Sequence, residues 1–153
     1  MNANLAMTRH VVCIGPDDSL ADAYEVMTEW EIRHLPVVRG NVLVGILSDR
    51  DVILRSTTGP TKVEVPSIPV AEAMTVNPLV CRPSASVGQI GRTMIEHKID
   101  SLPVVDDSGA LVGLVTSTDL IRLLVENEQI GGSKPLPFSY KIHSDHRGPA
   151  RPW

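Results

Sequence analysis

Two short segments of the chain place a hydroxyl residue three positions before an aspartate. Ser48 precedes Asp51 in the first segment, and Thr116 precedes Asp119 in the second. An apolar run comes before each hydroxyl, so the hydroxyl is expected where a strand gives way to a helix. The first turn of a helix presents unpaired N–H groups that suit an anion or sugar oxygens. Each aspartate can accept two hydrogen bonds, as a ribose diol requires. The two segments therefore predict a site for an anionic or sugar-bearing molecule.

The same spacing also fits a local structural role. A hydroxyl residue and an acid three positions later form a capping box, which closes the start of a helix on itself and contributes about 1 kcal/mol. On either segment alone, capping is the simpler interpretation. Capping does not require the glycine and two apolar residues that precede each hydroxyl, beginning at Gly45 and Gly113, or the Leu-Pro-Val-Val run upstream of both. Ligand binding therefore stays open beside capping.

Both segments belong to an internal repeat. Residues 12–38 align with residues 79–105 at a constant offset of 67, and nine of the 27 pairs are identical. One inserted residue in the next turn changes the offset to 68, and the match continues to Asp51 and Asp119. A tandem unit of this size usually cannot bury its apolar face alone, so the two copies should pack on each other. The seam between them is where a ligand cleft is expected.

Each copy predicts the order strand, helix, strand, strand, helix, which is an α/β (α+β) unit. In the first copy, Asp17, Asp18 and Ser19 are the candidate caps of the first helix, and Gly40 supplies the turn of a hairpin. The predicted elements are residues 11–14, 19–31, 35–38, 42–47 and 48–56 in the first copy, and 79–82, 87–97, 102–105, 110–115 and 116–127 in the second.

Changes in composition divide the chain into five segments. A lead-in at 1–7 precedes the first repeat at 8–56. A linker rich in Pro, Thr and Gly follows at 57–69, and the second repeat covers 70–127. The tail at 128–153 contains several prolines and scattered charges and cannot bury enough surface to fold alone, so we expect it to be mobile or docked on a partner.

The composition argues against several classes of protein. A formal net charge of −4 does not suit a broad surface for DNA or RNA. No apolar run approaches the roughly 20 residues that span a bilayer, and residues 1–7 lack the pattern of a signal peptide, so a cytoplasmic location is expected. The two cysteines, Cys13 and Cys81, are too few for a disulfide framework and suit small buried hydrophobes.

Motifs of catalysis are missing from the sequence. There is no Walker A loop, no Gly-x-Ser-x-Gly and no His/Cys cluster with the spacing of metal ligands, and the five histidines are scattered. We therefore expect a protein without catalytic activity and without a bound metal.

Taken together, these features resemble a tandem pair of CBS domains, the Bateman module, in the form of a stand-alone CBS domain protein. The residues that carry the resemblance are Arg33-His-Leu-Pro-Val-Val38 with Gly45-Ile-Leu-Ser-Asp-Arg-Asp51, and Ser101-Leu-Pro-Val-Val105 with Gly113-Leu-Val-Thr-Ser-Thr-Asp119. The segment from Val70 to Pro78 is similar to the usual lead-in to a second copy. The resemblance implies two β-α-β-β-α repeats, packed sheet to sheet around a pseudo-two-fold axis, with two related clefts between them.

The resemblance further implies that the clefts bind adenosine derivatives: AMP, ADP, ATP or S-adenosylmethionine, with no required cofactor. By position, Ser48 and Asp51 would hold the ribose in one cleft, the first cleft. Thr116 and Asp119 would do so in the other, the second cleft. The remaining candidates for ligand contact are Ile46 and Leu114, which would border adenine, together with Arg33, His34, Arg50, Thr75, Ser101 and Thr118.

The resemblance also predicts a difference between the clefts. Family members often meet phosphate with basic residues just before the Leu-Pro step, where this chain has Arg33 and His34 in one copy but Asp100 and Ser101 in the other. Arginine can grip phosphate through two hydrogen bonds, whereas an aspartate repels it. In relatives the basic pair often reaches the cleft whose ribose aspartate belongs to the other copy. We therefore expect the second cleft to be the better phosphate site, and Arg50 to be the nearest cation of the first.

Two functions follow. The first is a regulatory module, usually a homodimer, in which a bound adenosine derivative signals its presence to an unidentified partner protein. The alternative is a dimeric structural or protein-interaction module with vestigial clefts, paired through the helices at 19–31 and 87–97. Neither interpretation involves a membrane or polymeric nucleic acid.

Overall fold

The computed structural model describes residues 1–127, so the tail predicted at 128–153 lies outside the described residues. The helices are α1 (Ala3–Ala6), α2 (Leu20–Glu29), α3 (Asp49–Arg55), α4 (Val87–His97) and α5 (Ser117–Glu126), with a 3₁₀ turn at Val70–Glu72. The strands are β1 (His34–Arg39), β2 (Val42–Ser48), β3 (Thr57–Thr58), β4 (Val63–Glu64), β5 (Thr75–Val76), β6 (Ser101–Val105) and β7 (Leu111–Thr116).

The two repeats have the same fold, built on the predicted hairpins and helices. In the first repeat β1 pairs antiparallel with β2, and in the second β6 pairs antiparallel with β7. Both ladders shift register at the same place, after Val37 and after Val104. The hairpins turn at Gly40 and Gly109, whose φ angles of 65° and 82° lie in the left-handed region that glycine tolerates best.

The strands predicted at 11–14 and 79–82 are shorter than expected. Only Ile14 forms a parallel bridge with Val37, and only Cys81 forms one with Val104. Ile14 donates to the carbonyl of Pro36 over 3.1 Å, but Pro36 has no N–H with which to continue the ladder toward earlier residues. Pro103 occupies the equivalent place beside Cys81 and limits the second strand in the same way.

Each repeat has its own apolar core beneath its hairpin. Helix α2 buries Leu20, Ala23 and Met27 on one face, and α4 buries Ile90 and Met94. Burying one large aliphatic side chain contributes roughly 1.5–3 kcal/mol, so these faces fix both helices against the sheets. All five residues of β6 are buried, as expected for a strand covered on both faces.

The first residues of each repeat pair with the sheet of the other repeat. Strand β5 leads into the second repeat but pairs with β2 of the first, through Gly45 with Val76 and Ile46 with Thr75. Thr8 leads into the first repeat but bridges Leu114 of the second. The N-terminal lead-in is thus part of the second repeat's core, where Ala3 and Met7 are buried.

Gly45 and Gly113, which precede the two hydroxyl–aspartate pairs, allow the start of each repeat to pack closely on the other repeat. A Cβ on Gly45 would lie 2.6 Å from the sulfur of Met74 and 2.9 Å from the carbonyl oxygen of Thr75. A Cβ on Gly113 would collide with Met7 in the same manner, at 2.9 Å from its Cγ. The close approach expected from the sequence is therefore made by the chain's own lead-in segments.

The hairpin turns also join the repeats directly. Leu111 donates to the carbonyl of Asn41 over 3.0 Å, and Val42 forms an antiparallel bridge with Ala110. The linker forms a small hairpin of β3 and β4 instead of running without structure. Among residues 1–127, no helix has the length and apolar character needed to cross a membrane.

Candidate functional site

Two clefts open where the repeats meet. The first cleft has a volume of about 680 Å³ and the second about 360 Å³. Both volumes fall within or near the range of small-molecule sites, roughly 300–1,000 Å³. Each cleft takes its wall from both repeats, as the sequence predicted for the seam.

The first cleft gathers the residues predicted from the first repeat and from the lead-in to the second. Ser48 ends β2 and Asp51 lies in the first turn of α3, so both project from the junction of strand and helix. The other predicted residues that line this cleft are Arg33, His34, Ile46, Arg50, Thr75 and Ser101.

The second cleft has the equivalent arrangement. Thr116 ends β7, and Asp119 lies in the first turn of α5. Leu114 and Thr118 join them, together with Arg33 and His34 from the first repeat. The structure thus places all twelve predicted residues around one cleft or the other.

Sequence reasoning missed the residues that the beginnings of the repeats and the helix ends bring to the clefts. The beginnings of the two repeats contribute Asn77, Pro78 and Leu79 to the first cleft, and Thr8, His10, Val11 and Val12 to the second. A signal for them exists, because Ala6-Met7-Thr8 is identical to Ala73-Met74-Thr75 at the same offset of 67. The helix ends contribute His97, Lys98 and Ile99 to the first cleft, and Glu31 and Ile32 to the second.

Both hydroxyl–aspartate pairs are capping boxes in the structure. Asp51 Oδ2 accepts hydrogen bonds from the backbone N–H and the hydroxyl of Ser48, each over 2.8 Å, and Asp51 N–H donates to Ser48 Oγ over 3.2 Å. Thr116 and Asp119 repeat these contacts at 2.8, 2.7 and 3.3 Å. Capping uses Oδ2, and within residues 1–127 no protein group donates to Asp51 Oδ1. Capping and ligand binding are therefore compatible roles of one carboxylate.

The two aspartates differ in their surroundings. Asp119 is 7% exposed, and its Oδ1 accepts a hydrogen bond from Arg122 over 3.3 Å. A buried carboxylate is costly unless it is hydrogen-bonded, and Arg122 with the capping contacts supplies those bonds. Arg122 also lines the second cleft, so it adds a cation beside the aspartate.

Arg33, His34 and Asp100 form the wall between the clefts. Asp100 Oδ1 lies 3.0 Å from His34 Nε2, and Asp100 Oδ2 lies 3.6 Å from Arg33 Nη2. Arg33 and Asp100 occupy equivalent positions of the two repeats, 67 residues apart, and their side chains contact each other where the repeats meet. All three residues line both clefts.

The structure adds basic side chains to the first cleft that the sequence prediction did not place there. The prediction named only Arg50, and Arg33, His34 and Lys98 line this cleft as well. Arg33 and His34 are shared by the two clefts, because they lie in the wall between them. Asp100 contacts both members of that pair at the boundary between the clefts.

Backbone strain lies at the rims of the clefts. The non-glycine residues with positive φ within residues 1–127 are Glu31, Asn77 and Lys98, at 52°, 48° and 54°. Glu31 lines the second cleft, and the other two line the first. Such conformations cost free energy and often mark functional sites.

Cys13 and Cys81 are free, half-buried thiols. Burial raises the pKa of the thiols of Cys13 and Cys81, which keeps both protonated and weakly nucleophilic at neutral pH. No group of three or more metal-ligating side chains occurs in the part of the chain that the structure describes.

Comparison with curated proteins finds relatives along most of the chain. The chain is 32% identical over 137 residues to the CBS domain-containing protein YhcV of Bacillus subtilis, covering 90% of this chain and 95% of that protein. It is 38% identical over 112 residues to an inosine-5'-monophosphate dehydrogenase of Korarchaeum cryptofilum. That match covers 73% of this chain, but this chain spans only 22% of the dehydrogenase.

Comparison with solved structures finds the same fold in CBS-pair proteins. The structure of CBSX2 in complex with AMP matches with a TM-score of 0.72 and 28% identity, covering 83% of this chain and 98% of that one. The CBS domain pair of protein MJ0100, in complex with 5'-methylthioadenosine and S-adenosyl-L-methionine, matches with a TM-score of 0.70 and 27% identity. This match covers 80% of this chain and 98% of the MJ0100 domain pair.

The family model for the CBS domain matches this chain twice, over residues 3–57 and 70–126. The first match begins within the N-terminal segment that packs on the second repeat. Together with the repeated hairpins and the paired clefts, these matches establish that the chain belongs to the CBS domain family and contains two CBS domains in tandem.

Proposed function

We propose that the chain is a non-catalytic regulatory module that binds an adenosine derivative in the clefts between its CBS domains. One observation carries the proposal: each cleft has a carboxylate whose Oδ2 caps a helix. In the first cleft, Asp51 Oδ1 is left without a donor among residues 1–127. The capping bonds hold each carboxylate in one orientation, which suits recognition of a ribose diol.

The surroundings of the carboxylates supply the other parts of a nucleotide site. Ile46 and Leu79 offer apolar surface to adenine in the first cleft, as Leu114 and Val12 do in the second. Arg33 lies within reach of both clefts and offers a guanidinium that can bind a phosphate through two hydrogen bonds.

The ligands most consistent with this chemistry are AMP, ADP, ATP and S-adenosylmethionine. The AMP complex of CBSX2 and the S-adenosylmethionine complex of MJ0100 support this set, because both proteins have the same fold. Of these ligands we favour a nucleotide with at least one phosphate, because basic side chains line both clefts. Arg33 and His34 line both, Arg50 and Lys98 the first, and Arg122 the second.

Regulation requires that the ligand distinguish two states of the module. A ligand bound with micromolar affinity provides about 8 kcal/mol, and only the difference between its affinities for the two states can shift their populations. In this proposal the occupied module presents a different surface to a partner protein.

Calorimetric titration with AMP, ADP, ATP and S-adenosylmethionine tests the proposal. We expect micromolar binding of at least one of them, and loss of that binding in the double variant Asp51→Ala/Asp119→Ala. Gln89→Ala is the matched control, because Gln89 forms a capping box with Ser86 on α4 but lines neither cleft. Binding unchanged in the double variant would contradict the proposal.

The alternative, a dimeric interaction module with vestigial clefts, is favoured by apolar side chains on the outer helices. Ile95 of α4 is 80% exposed, and Ile121, Leu124 and Val125 are exposed on α5. Exposed apolar clusters mark protein interfaces. Light scattering coupled to gel filtration tests the homodimer, and a dimer that binds none of the four ligands would support this alternative.

A further inference from the structure

The ion pair between the clefts joins two residues that are equivalent in the two repeats but carry opposite charges. Arg33 and Asp100 are equivalent residues, and their backbones are held alike. The carbonyl of Arg33 accepts from the N–H of Asp49, and the carbonyl of Asp100 accepts from the N–H of Ser117, each over 2.9 Å. The side chains therefore start from equivalent places and meet at the boundary of both clefts.

The contact of Arg33 with Asp100 is suited to exchange. The two side chains are 62% and 47% exposed and lie 3.6 Å apart, and an exposed pair of this kind contributes little to stability. A phosphate offers the guanidinium two parallel charge-assisted hydrogen bonds, which are stronger than a long monodentate contact. Arg33 can thus leave Asp100 for a phosphate at little cost.

We propose that the two clefts compete for Arg33, so that the module binds one anionic nucleotide tightly and a second one weakly. This inference rests on the proposed function. When Arg33 turns to a phosphate in one cleft, Asp100 loses that guanidinium, and His34 remains beside it at 3.0 Å. The other cleft is then left with a less compensated carboxylate, which repels a second anion.

The two clefts compete for Arg33 only when the ligand carries a negative charge, because the nucleoside part does not contact Arg33 in this proposal. An uncharged ligand such as adenosine does not need Arg33, so both clefts remain open to it. The Arg33–Asp100 pair therefore allows an anionic nucleotide in one cleft together with an uncharged nucleoside in the other. Asp100 is in this view a residue that sets specificity between the clefts.

Titration of the full chain with AMP and, separately, with adenosine tests this inference. For AMP we expect two affinities per chain that differ by at least about tenfold, whereas for adenosine the two affinities should lie closer together. Asp100→Asn should narrow the gap for AMP by raising the second affinity, because the neutral amide does not repel the second phosphate. Asp107→Asn is the matched control, since Asp107 is a fully exposed aspartate of the same repeat that lines neither cleft.

The outcomes separate this inference from the function on which it rests. Two equal and independent AMP sites, or a gap unchanged by Asp100→Asn, would overturn the competition while leaving nucleotide binding intact. Absence of binding by both AMP and adenosine in the wild-type chain would instead overturn the proposed function. Asp100→Glu, which keeps the charge, should retain the gap and shows that Asp100→Asn acts through charge.

Discussion

The first and second clefts are built from the same unit, yet the charged residues around them differ. Glu31 lines the second cleft and Lys98 lines the first, whereas Arg33, His34 and Asp100 lie between them and line both. Lys98 stands where the other copy has Glu31, and Asp100 where it has Arg33, so the order of the charges is inverted. The duplication has kept the backbone and the capping boxes, while the charges that meet a ligand differ.

The comparison also shows how a structural feature and a binding feature share one residue. Both aspartates cap a helix with nearly identical hydrogen bonds, but Asp119 is more buried than Asp51 and contacts Arg122. A difference in ligand binding between the two clefts therefore has to arise around the carboxylates and not from the capping boxes.

The largest expected effect comes from filling the space above the two glycines. Gly45→Ala should lower the free energy of unfolding by about 1–3 kcal/mol, as overpacking of a close contact does. Its Cβ meets the backbone carbonyl of Thr75 as well as Met74, so the pairing of β5 with β2 must shift. Gly113→Ala should cost less, because the three atoms nearest to its new Cβ all belong to the side chain of Met7 and none to the backbone. Urea denaturation measures both, and an equal cost would show that the two lead-ins are held with the same rigidity.

The next effect concerns the two aspartates. Asp119→Ala should weaken AMP binding about tenfold or more, and more than Asp51→Ala does, if the second cleft is the better phosphate site. Both variants should lose about 1 kcal/mol of stability from the capping box, and so should Gln89→Ala. Calorimetry and thermal unfolding of the three variants separate binding from capping. Equal loss of AMP affinity in the two aspartate variants would reject the predicted difference between the clefts.

A smaller effect is expected at the equivalent helix ends. Lys98→Gly should raise the stability by up to about 1 kcal/mol, because glycine adopts a φ of 54° without strain from a Cβ. The same change removes a cation from the first cleft, so AMP affinity there should fall a few-fold. Glu31→Gly should stabilise the protein similarly but should favour anion binding in the second cleft. If both variants changed AMP binding in the same direction, the inverted charges would not govern the clefts.

The smallest effect is expected at the cysteines, where the two repeats are alike. Burial raises the pKa of both thiols, so alkylation at pH about 8 should be slow for Cys13 and Cys81 and should speed up at higher pH. Mass spectrometry after timed alkylation measures each site. Rapid reaction of one cysteine alone would reveal an opening in one repeat that its partner does not share.

Much of the fold was accessible from the sequence because its signals are local and occur twice. The candidate caps at residues 17–19, the turn glycines Gly40 and Gly109, and the apolar runs between them are local signals for the helices and hairpins. Of the three candidates, Ser19 is the residue that caps α2. The twelve candidate residues follow from the same signals together with the resemblance to CBS domains.

The features that escaped prediction depend on contacts between the repeats. The segments that pack on the other repeat are the four-residue helix α1, the two-residue strand β5 and the single bridge at Thr8. All of them are too short to have a periodicity. The strand predicted at 11–14 is reduced to one bridge because of Pro36 in the neighbouring strand. The contact of Arg33 at the boundary of both clefts is with Asp100, 67 residues away. No local pattern reports such pairs.

The crystal structure of the chain grown with AMP is the most direct test of the account. We predict a ribose whose two hydroxyls lie within hydrogen-bonding distance of the carboxylate of Asp51 or Asp119, with the phosphate at Arg33. AMP bound outside both clefts, or a ribose that contacts neither aspartate, would contradict the claim that these carboxylates recognise an adenosine derivative.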